Sequence, residues 1–258
     1  MAEHANRDTG RSRRHAQLRT AWAIVSVSLV EALVFALAVL PGYAIFRWCS
    51  GWESTSHWMN AFVAALALVP AYLTFAVAFM VLSAAATRVT GWRTPKNVEL
   101  PLRDRDWPLL NWARYSVSTH LVRVLAGTLL RTTPVWTFYM RLNGARLGKR
   151  VYINSLDVMD HNLLEFGDDV VIGAGVHLSG HTVEHGRLKT APVRLGSGVT
   201  VGINANIEIG VEAGPRCQIG ALSVVPKHTR LDADTTYVGI PVHKLERPVR
   251  THAPPDPS

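Results

Sequence analysis

Hydrophobic residues are unevenly distributed along the chain, and two long apolar runs come first. They cover residues 21–46 and 58–86. Each run exceeds the roughly 20 apolar residues that a helix needs to cross a hydrocarbon core about 30 Å thick. The first run is also longer than the apolar stretch of about 7–15 residues in a cleaved signal peptide. Both runs therefore predict transmembrane helices, joined as a hairpin in the bilayer.

A second hydrophobic pattern, with a period of six, occupies the later part of the chain. Large aliphatic residues recur at every sixth position, and a smaller residue stands two positions before each of them. The large series contains Leu195, Val201, Ile207, Ala213, Ile219, Val225 and Leu231, and the smaller series contains Val193, Val199, Ala205, Val211, Cys217, Ser223 and Thr229. Helices repeat every 3.6 residues and strands every two, so a sustained six predicts a solenoid of short strands, three sixes to a triangular coil.

Polar segments flank and separate these patterns. Residues 1–20 and 248–258 are predicted to be disordered tails, the first basic and the second rich in proline. Residues 94–142 begin as a charged linker and continue from Trp107 with apolar residues at helical spacing among arginines. This pattern predicts an amphipathic helix at the membrane interface or, nearly as well, a helix packed against the next domain. The repeat domain is expected over 143–247.

The chain has a formal charge of +8, and the distribution of its basic residues predicts how the hairpin is oriented in the membrane. Basic residues precede the first apolar run and follow the second, so the positive-inside rule predicts that both termini and the repeat domain are cytoplasmic. The lipid bilayer is therefore an expected partner, and a bacterial inner membrane is the expected location. Glu31, in the middle of the first run, predicts a contact between helices, with a proton or substrate path as the alternative.

Two classes of function find no support in the sequence. The basic residues cluster at the predicted membrane ends and form no nucleic-acid-binding motif. The two cysteines, Cys49 and Cys217, do not have metal-binding spacing. Neither a nucleic-acid partner nor a metal site is expected.

The count of six is interrupted between Leu178 and Leu195 by the segment SGHTVEHGRLKTAP at 179–192. An advance of seventeen residues fits neither two nor three regular sixes, so part of this segment must leave the coil. Such an excursion costs only loop entropy and can reach a neighbouring subunit.

Two passages of the repeat domain resemble the hexapeptide-repeat acyltransferases, whose fold is a left-handed parallel β-helix. They are DHNLLEFGDDVVIGAGVHLSGH at 160–181 and the closing segment IGALSVVPKHTRLDADTTYVGIPVHKL at 219–245. The resemblance implies an all-β left-handed hexapeptide solenoid, here preceded by a two-helix transmembrane hairpin and an amphipathic helical connector. It also implies a homotrimer with sites between neighbouring subunits, where Ala205, Ala221 and Lys227 would contact the donor.

The order of membrane hairpin, connector and β-helix is similar to one of the three tandem terminal units of the poly-lysine synthetases, which form peptide bonds from a carrier-protein thioester. The similarity includes a passage of type H-x-x-E followed by x-x-R, here His181, Glu184 and Arg187. It implies a carrier protein or peptide synthetase as a partner. The expected co-substrate is an acyl-coenzyme A or a carrier-protein phosphopantetheine thioester, with no permanently bound cofactor.

The interrupted segment contains the candidate catalytic residues. Acyl transfer from a thioester needs a deprotonated acceptor, and histidine, with an unperturbed pKa of about 6.5, is suited to take that proton at neutral pH. His181 is the preferred base and His185 the alternative. The carboxylate of Glu184 or of Asp160 would hold the imidazole in the required tautomer.

Three further residues are candidates for substrate binding. His161 and Asn162 belong to an earlier coil, where they either bind the acceptor or serve as turn residues. Arg187, in the interrupted segment, carries a positive charge that suits an anionic donor.

The sequence as a whole predicts a membrane-anchored acyltransferase that moves an acyl or aminoacyl group from a thioester to an amine or hydroxyl. Formation of amide or peptide bonds beside a peptide synthetase is one form of this reaction. Two alternatives stay open. One is an acetyl-coenzyme A-dependent O-acetyltransferase of a sugar or lipid-linked glycan, and the other is a trimeric membrane scaffold without catalytic activity.

Overall fold

Two long helices begin the fold, one from each apolar run. In the computed structural model, which describes residues 2–51 and 56–246, α1 spans Ala2–Ser50 and α2 spans His57–Thr90. Both are long and apolar enough to cross a membrane, by length and composition. Large apolar side chains are exposed along both helices, as is typical of helices that face lipid or another protein.

α1 begins well before the first apolar run. The helix starts at Ala2, within the range 1–20 for which the sequence predicts a disordered tail. This segment contains no proline, and its one glycine, Gly10, disfavours a helix by only about 1 kcal/mol relative to alanine. The tail predicted over 248–258 lies outside the described residues.

A connector of short helices follows α2. Strand β1 spans Glu99–Pro101, α3 spans Trp107–Val122, a π-helical turn spans Arg123–Gly127, α4 spans Thr128–Leu130 and α5 spans Pro134–Leu142. α3 packs against α1 and α2, and α5 packs against both α2 and the first strands of the repeat domain. The connector therefore joins the two parts of the molecule through direct packing.

α3 buries polar side chains on the side that faces the long helices. The Ser118 hydroxyl donates a hydrogen bond to the Glu31 carboxylate of α1, so the predicted contact between helices is present. Arg114 is buried, and its guanidinium lies 5.4 Å from the ring centre of Trp92 and 5.2 Å from that of Trp107, which are cation–π distances. On an interfacial helix, Arg114 would lie on the exposed basic face. Its burial favours the other alternative, in which this helix packs against the rest of the protein.

The repeat domain consists of short strands separated by turns. They are β2 (Arg146–Leu147), β3 (Tyr152–Ile153), β4 (Leu164–Phe166), β5 (Val171–Ile172), β6 (His177–Leu178), β7 (His181–Glu184), β8 (Arg187–Thr190), β9 (Val193–Leu195), β10 (Thr200–Val201), β11 (Asn206–Ile207), β12 (Glu212–Ala213), β13 (Gln218–Ile219), β14 (Val224–Val225), β15 (Arg230–Leu231), β16 (Thr236–Val238) and β17 (His243–Lys244). The whole predicted series of large aliphatic residues is buried, and so is Cys217 of the smaller series.

Parallel strand pairs link residues that are one coil apart. Thr200 pairs with Gln218, 18 residues further along the chain, so one coil contains three sixes. The strands form three sheets, in the orders β2-β4-β9-β12-β15, β6-β11-β14 and β3-β5-β10-β13-β16, with β17 antiparallel to β16. Three sheets are what a triangular coil requires. His177 pairs with Asn206, 29 residues along, so the interrupted segment adds eleven residues to its coil.

The interrupted segment folds as a β-hairpin outside the three sheets. β7 and β8 pair antiparallel, and β1 of the connector joins β8 as a third antiparallel strand. The hairpin turn consists of His185 and Gly186, with φ angles of 47° and 70°, and two consecutive positive φ values are typical of a tight two-residue hairpin turn. The predicted excursion is therefore an ordered sheet that is fastened to the connector.

Candidate active site

Asp160 and His181 form a hydrogen-bonded pair where the hairpin leaves the coils. His181 Nδ1 donates to Asp160 Oδ2 at 2.6 Å. Asp160 directly precedes a 3₁₀ turn at His161–Leu163 and has a φ of 53°. His181 is the first residue of β7. Of the two carboxylates that the sequence offers as partners for the histidine, the structure brings Asp160 to it.

The Asp160 carboxylate is buried but fully supplied with hydrogen-bond donors. It accepts bonds from Thr94 Oγ1 at 2.6 Å, Ser179 Oγ at 3.1 Å and the Gly180 N–H at 3.0 Å, besides the bond from His181. Burial by itself would raise the pKa of Asp160, but the hydrogen bond and charge of His181 and the two hydroxyls outweigh it and lower this pKa below its usual value. Asp160 is therefore an anion at neutral pH.

The His181 ring has one nitrogen available for chemistry. Because Nδ1–H is held by Asp160, the neutral ring carries its lone pair on Nε2. The side chain is 19% exposed, and the Trp112 ring of α3 meets it edge-on, with ring centres 5.0 Å apart. The histidine is thus oriented from one side by a carboxylate and packed from another by an aromatic ring.

Gly180 allows β7 to start this close to Asp160. A Cβ at this position would lie 2.8 Å and 2.9 Å from side-chain atoms of Leu163 and 3.1 Å from Cβ of Asp160. Real Cβ contacts are longer than this, so a larger residue would push the strand away from the carboxylate.

Glu184 does not contact the histidine. Side chains three positions apart on a strand point to opposite faces, so the spacing in His181-Thr182-Val183-Glu184 places the two side chains on different sides of β7. Glu184 instead forms ion pairs with Lys227 and, at 3.7 Å, with Lys189. The carboxylate that the structure places at the His181 ring is that of Asp160, not that of Glu184.

His185 and Arg187 lie at the far end of the hairpin. His185 is exposed at the turn with a positive φ, and the structure does not bring it to the Asp160–His181 pair. Arg187 pairs with Glu99 of β1 at 2.7 Å, which fastens the hairpin to the connector. A donor contact by Arg187 would require this ion pair to open.

His161 and Asn162 are close to the pair but have different surroundings. His161 is buried, its Nε2 lies 3.2 Å from the Val158 carbonyl, and its Nδ1 has no hydrogen-bond partner among the described residues. Burial lowers the pKa of His161 to about 4, so the ring is neutral at pH 7. The Asn162 amide donates to the Thr94 carbonyl at 2.8 Å and thereby holds the residue that bonds Asp160.

A cavity of about 420 Å³ lies between α3 and the first coils, and both members of the pair line it. The residues from α3 recur at spacings of three and four and include Trp112, Ser116, Thr119 and His120. This wall was missed in the sequence, although the helical spacing of its polar residues was visible. The periodicity shows which residues share a face but not what that face packs against.

The three expected donor contacts lie on coils after the hairpin. Ala205 is buried, and its carbonyl accepts a hydrogen bond from the His177 N–H. Ala221 is exposed after β13, and Lys227 reaches the hairpin at Glu184. Among the described residues, no group of three or more His, Cys, Asp or Glu side chains could hold a metal ion.

Comparisons with known proteins agree with the expected family. No protein-family model matches the chain. The delta-poly-L-ornithine synthetase of Acinetobacter baumannii is 25% identical over 145 residues, which are 54% of this chain and 11% of that protein. The galactoside O-acetyltransferase of Escherichia coli is 32% identical over 103 residues, 37% of this chain and 50% of that enzyme. A hexapeptide-repeat acetyltransferase of Vibrio cholerae, solved with acetyl coenzyme A, is 27% identical, with 40% of this chain and 60% of that one covered and a TM-score of 0.36.

The relatives and structural neighbours of this chain are acetyltransferases of the hexapeptide-repeat type, together with a poly-ornithine synthetase. These likenesses are consistent with the family that the repeat predicts. The chain spans no more than half the length of these two curated relatives.

Proposed function

We propose that this chain is a membrane-anchored acyltransferase that moves an acyl group from a thioester to an amine or hydroxyl, with His181 as general base. The observation that carries the proposal is the 2.6 Å bond between Asp160 and His181 at the wall of a cavity. A buried anion held by three other donors and bonded to a histidine is the arrangement that orients a catalytic imidazole. The relationship to acetyltransferases supports the same reaction class.

The proposed reaction assigns one role to each member of the pair. His181 Nε2 takes the proton from the acceptor nitrogen or oxygen as that atom attacks the thioester carbonyl. The Asp160 anion stabilises the imidazolium that forms and keeps the ring from turning. When the carbon–sulfur bond breaks, the same Nε2 returns the proton to the leaving thiolate, so the free enzyme is restored.

The architecture around the site is part of the proposal. We expect a closed left-handed coil, a homotrimer with sites between subunits, and α1 and α2 as a hairpin in a bacterial inner membrane with both termini cytoplasmic. The exposed apolar side chains of α1 and α2 support the membrane hairpin. The hairpin of β7 and β8, which projects from the coils, supports a site with a second wall from another subunit.

The donor is proposed to be a phosphopantetheine thioester, carried either by coenzyme A or by a carrier protein. The likeness to the galactoside O-acetyltransferase supports coenzyme A as the carrier. The likeness to the poly-ornithine synthetase supports aminoacyl transfer with peptide-bond formation, and this relative matches the larger share of the chain. Titration of thermal stability with coenzyme A and, separately, with a phosphopantetheinylated carrier protein distinguishes the two. A shift with only one of them identifies the donor class.

Thiol release tests the proposal. The full chain in detergent is given acetyl coenzyme A or an acylated carrier protein together with short amines and alcohols, and the appearance of free thiol is followed. His181→Ala is expected to lower the rate about 100-fold or more, the typical contribution of a general base. The matched control, His185→Ala, carries the same substitution at the exposed turn of the same hairpin and should keep the wild-type rate. Equal rates in wild type and His181→Ala would favour the non-catalytic scaffold.

A further inference from the structure

The cavity beside His181 contains a buried hydrogen-bond acceptor without a donor. His161 is 1% exposed, and its Nε2–H is directed at the Val158 carbonyl. The remaining nitrogen, Nδ1, therefore carries the lone pair, and it has no partner among the described residues. A buried acceptor left without a donor costs about 1–3 kcal/mol. A ligand or water that brings an N–H or O–H group into the cavity would supply the missing donor.

Apolar side chains form part of the more exposed wall of the same cavity, beside the polar side chains of Thr119, His120 and Arg123. Tyr115 and His161 are buried at the inner end, whereas Val117 is 44% exposed, and Leu121 and Met159 line the cavity between these levels of burial. A volume of about 420 Å³ lies within the range of small-molecule sites. The arrangement suits a ligand with a polar head and an apolar chain.

The position of α3 relates this cavity to the long apolar helices. One side of α3 packs on α1 and α2, where Ser118 bonds Glu31, and an adjoining side forms the cavity wall. Exposed apolar side chains continue from Val117 along the connector to Val124 and Leu129. The outer end of the cavity therefore adjoins the part of the molecule that is proposed to enter the membrane.

We propose that this cavity binds the acceptor and that the acceptor is an amphiphile, a primary amine on an apolar chain that arrives from the bilayer surface. Its nucleophilic group lies at the inner end, where it donates to His161 Nδ1 and gives its reacting proton to His181. Its chain runs along Val117, Leu121 and Met159. This assignment rests on the proposed acyltransferase function, because the acceptor is defined by that reaction.

A chain-length series tests the assignment. The full chain in lipid nanodiscs is given the donor and n-alkylamines from ethylamine to octylamine, and free thiol is measured. We expect kcat/KM to rise about fourfold for each methylene that the cavity buries, the factor that corresponds to about 0.8 kcal/mol per methylene. Val117→Trp, which fills the outer end, should flatten this series.

The control is Val124→Trp, which makes the same substitution at an exposed valine of the connector that does not line the cavity. It should keep the wild-type series. If short and long amines react equally in a His181-dependent manner, or if the two tryptophan variants behave alike, the amphiphilic acceptor is wrong while the acyltransferase function stands. If no thiol release depends on His181 with any acceptor or donor, the proposed function fails instead, and the acceptor assignment fails with it.

Discussion

Thr94 Oγ1 donates a 2.6 Å hydrogen bond to Asp160 Oδ1, so a residue just after α2 holds the carboxylate that in turn holds His181. The bond joins two residues 66 positions apart, and both are buried. The geometry of the candidate site therefore depends on how the end of the second long helix sits against the first coils.

Removal of this hydroxyl is expected to destabilise the protein. Thr94→Val keeps the shape of the side chain and leaves Asp160 Oδ1 without a donor, which should lower the free energy of unfolding by about 1.5–3 kcal/mol, the range for hydrogen bonds to charged groups. Thr94→Ser restores the donor and should recover most of the loss. Denaturant unfolding of the three proteins in the same detergent measures the difference, and equal loss in both variants would contradict the hydrogen-bond explanation.

Asp160→Asn is expected to affect the chemical step. The amide cannot balance an imidazolium, and its NH₂ group favours the tautomer with the proton on Nε2, so kcat should fall about 100-fold or more with little change in donor KM. Asp157→Asn is the matched control, since its carboxylate is largely exposed and pairs only loosely with Arg123 at 3.5 Å. Steady-state thiol release reports both parameters. A large change in KM at constant kcat would place Asp160 in donor binding instead.

Gly180→Ala tests whether the close approach of β7 is required. The added methyl would collide with Leu163 and Asp160, and such overpacking typically costs about 1–3 kcal/mol. We expect a lower melting temperature and a lower kcat, because His181 moves with the strand. At Gly186, where φ is 70° and an added Cβ meets no atom within 4 Å, alanine should cost about 1–2 kcal/mol through the left-handed conformation alone and leave kcat unchanged. Loss of activity in both variants would show that the hairpin tip matters as much as its base.

His161 predicts a loss of stability in mild acid. The folded ring has a pKa lowered to about 4 by burial, whereas an unfolded histidine titrates near 6.5. Between these values the unfolded chain binds the proton and the folded chain does not, so stability falls as the pH drops from about 6.5 to about 4. The contribution amounts to about 2 kcal/mol between pH 8 and pH 5. His161→Gln should remove this part of the slope in unfolding measured across that range, and an unchanged slope would contradict the prediction.

The fold was predictable to the extent that it repeats. The period of six identified the inward positions from Leu195 to Leu231 because each coil buries the same positions, and all of them are buried. The apolar runs predicted where the two long helices lie, but α1 and α2 both extend beyond their runs. The start of α1 could not be predicted, since polar residues without a proline, as over 1–20, are compatible with both disorder and helix.

The site was predictable only in part. His181 stood out because the repeat breaks beside it, but its partner could not be chosen between Glu184 and Asp160 without the strand direction. Glu184 is nearer in sequence, and β7 turns it to the other face. The contributions of Thr94 and Trp112 depend on contacts across long stretches of chain, which no local pattern contains.

The pairing of β1 with β8 bears on the order in which the molecule folds. Coils after the hairpin join residues 18 apart, as Thr200 and Gln218 do, whereas Glu99 and Arg187 are separated by 88 residues. Closure of a longer segment costs more entropy and slows the contact that needs it. The coils can therefore form early from nearby sequence, while the sheet that carries His181 is completed only when the connector docks. Protein at that intermediate stage would contain a finished solenoid and an unfinished site.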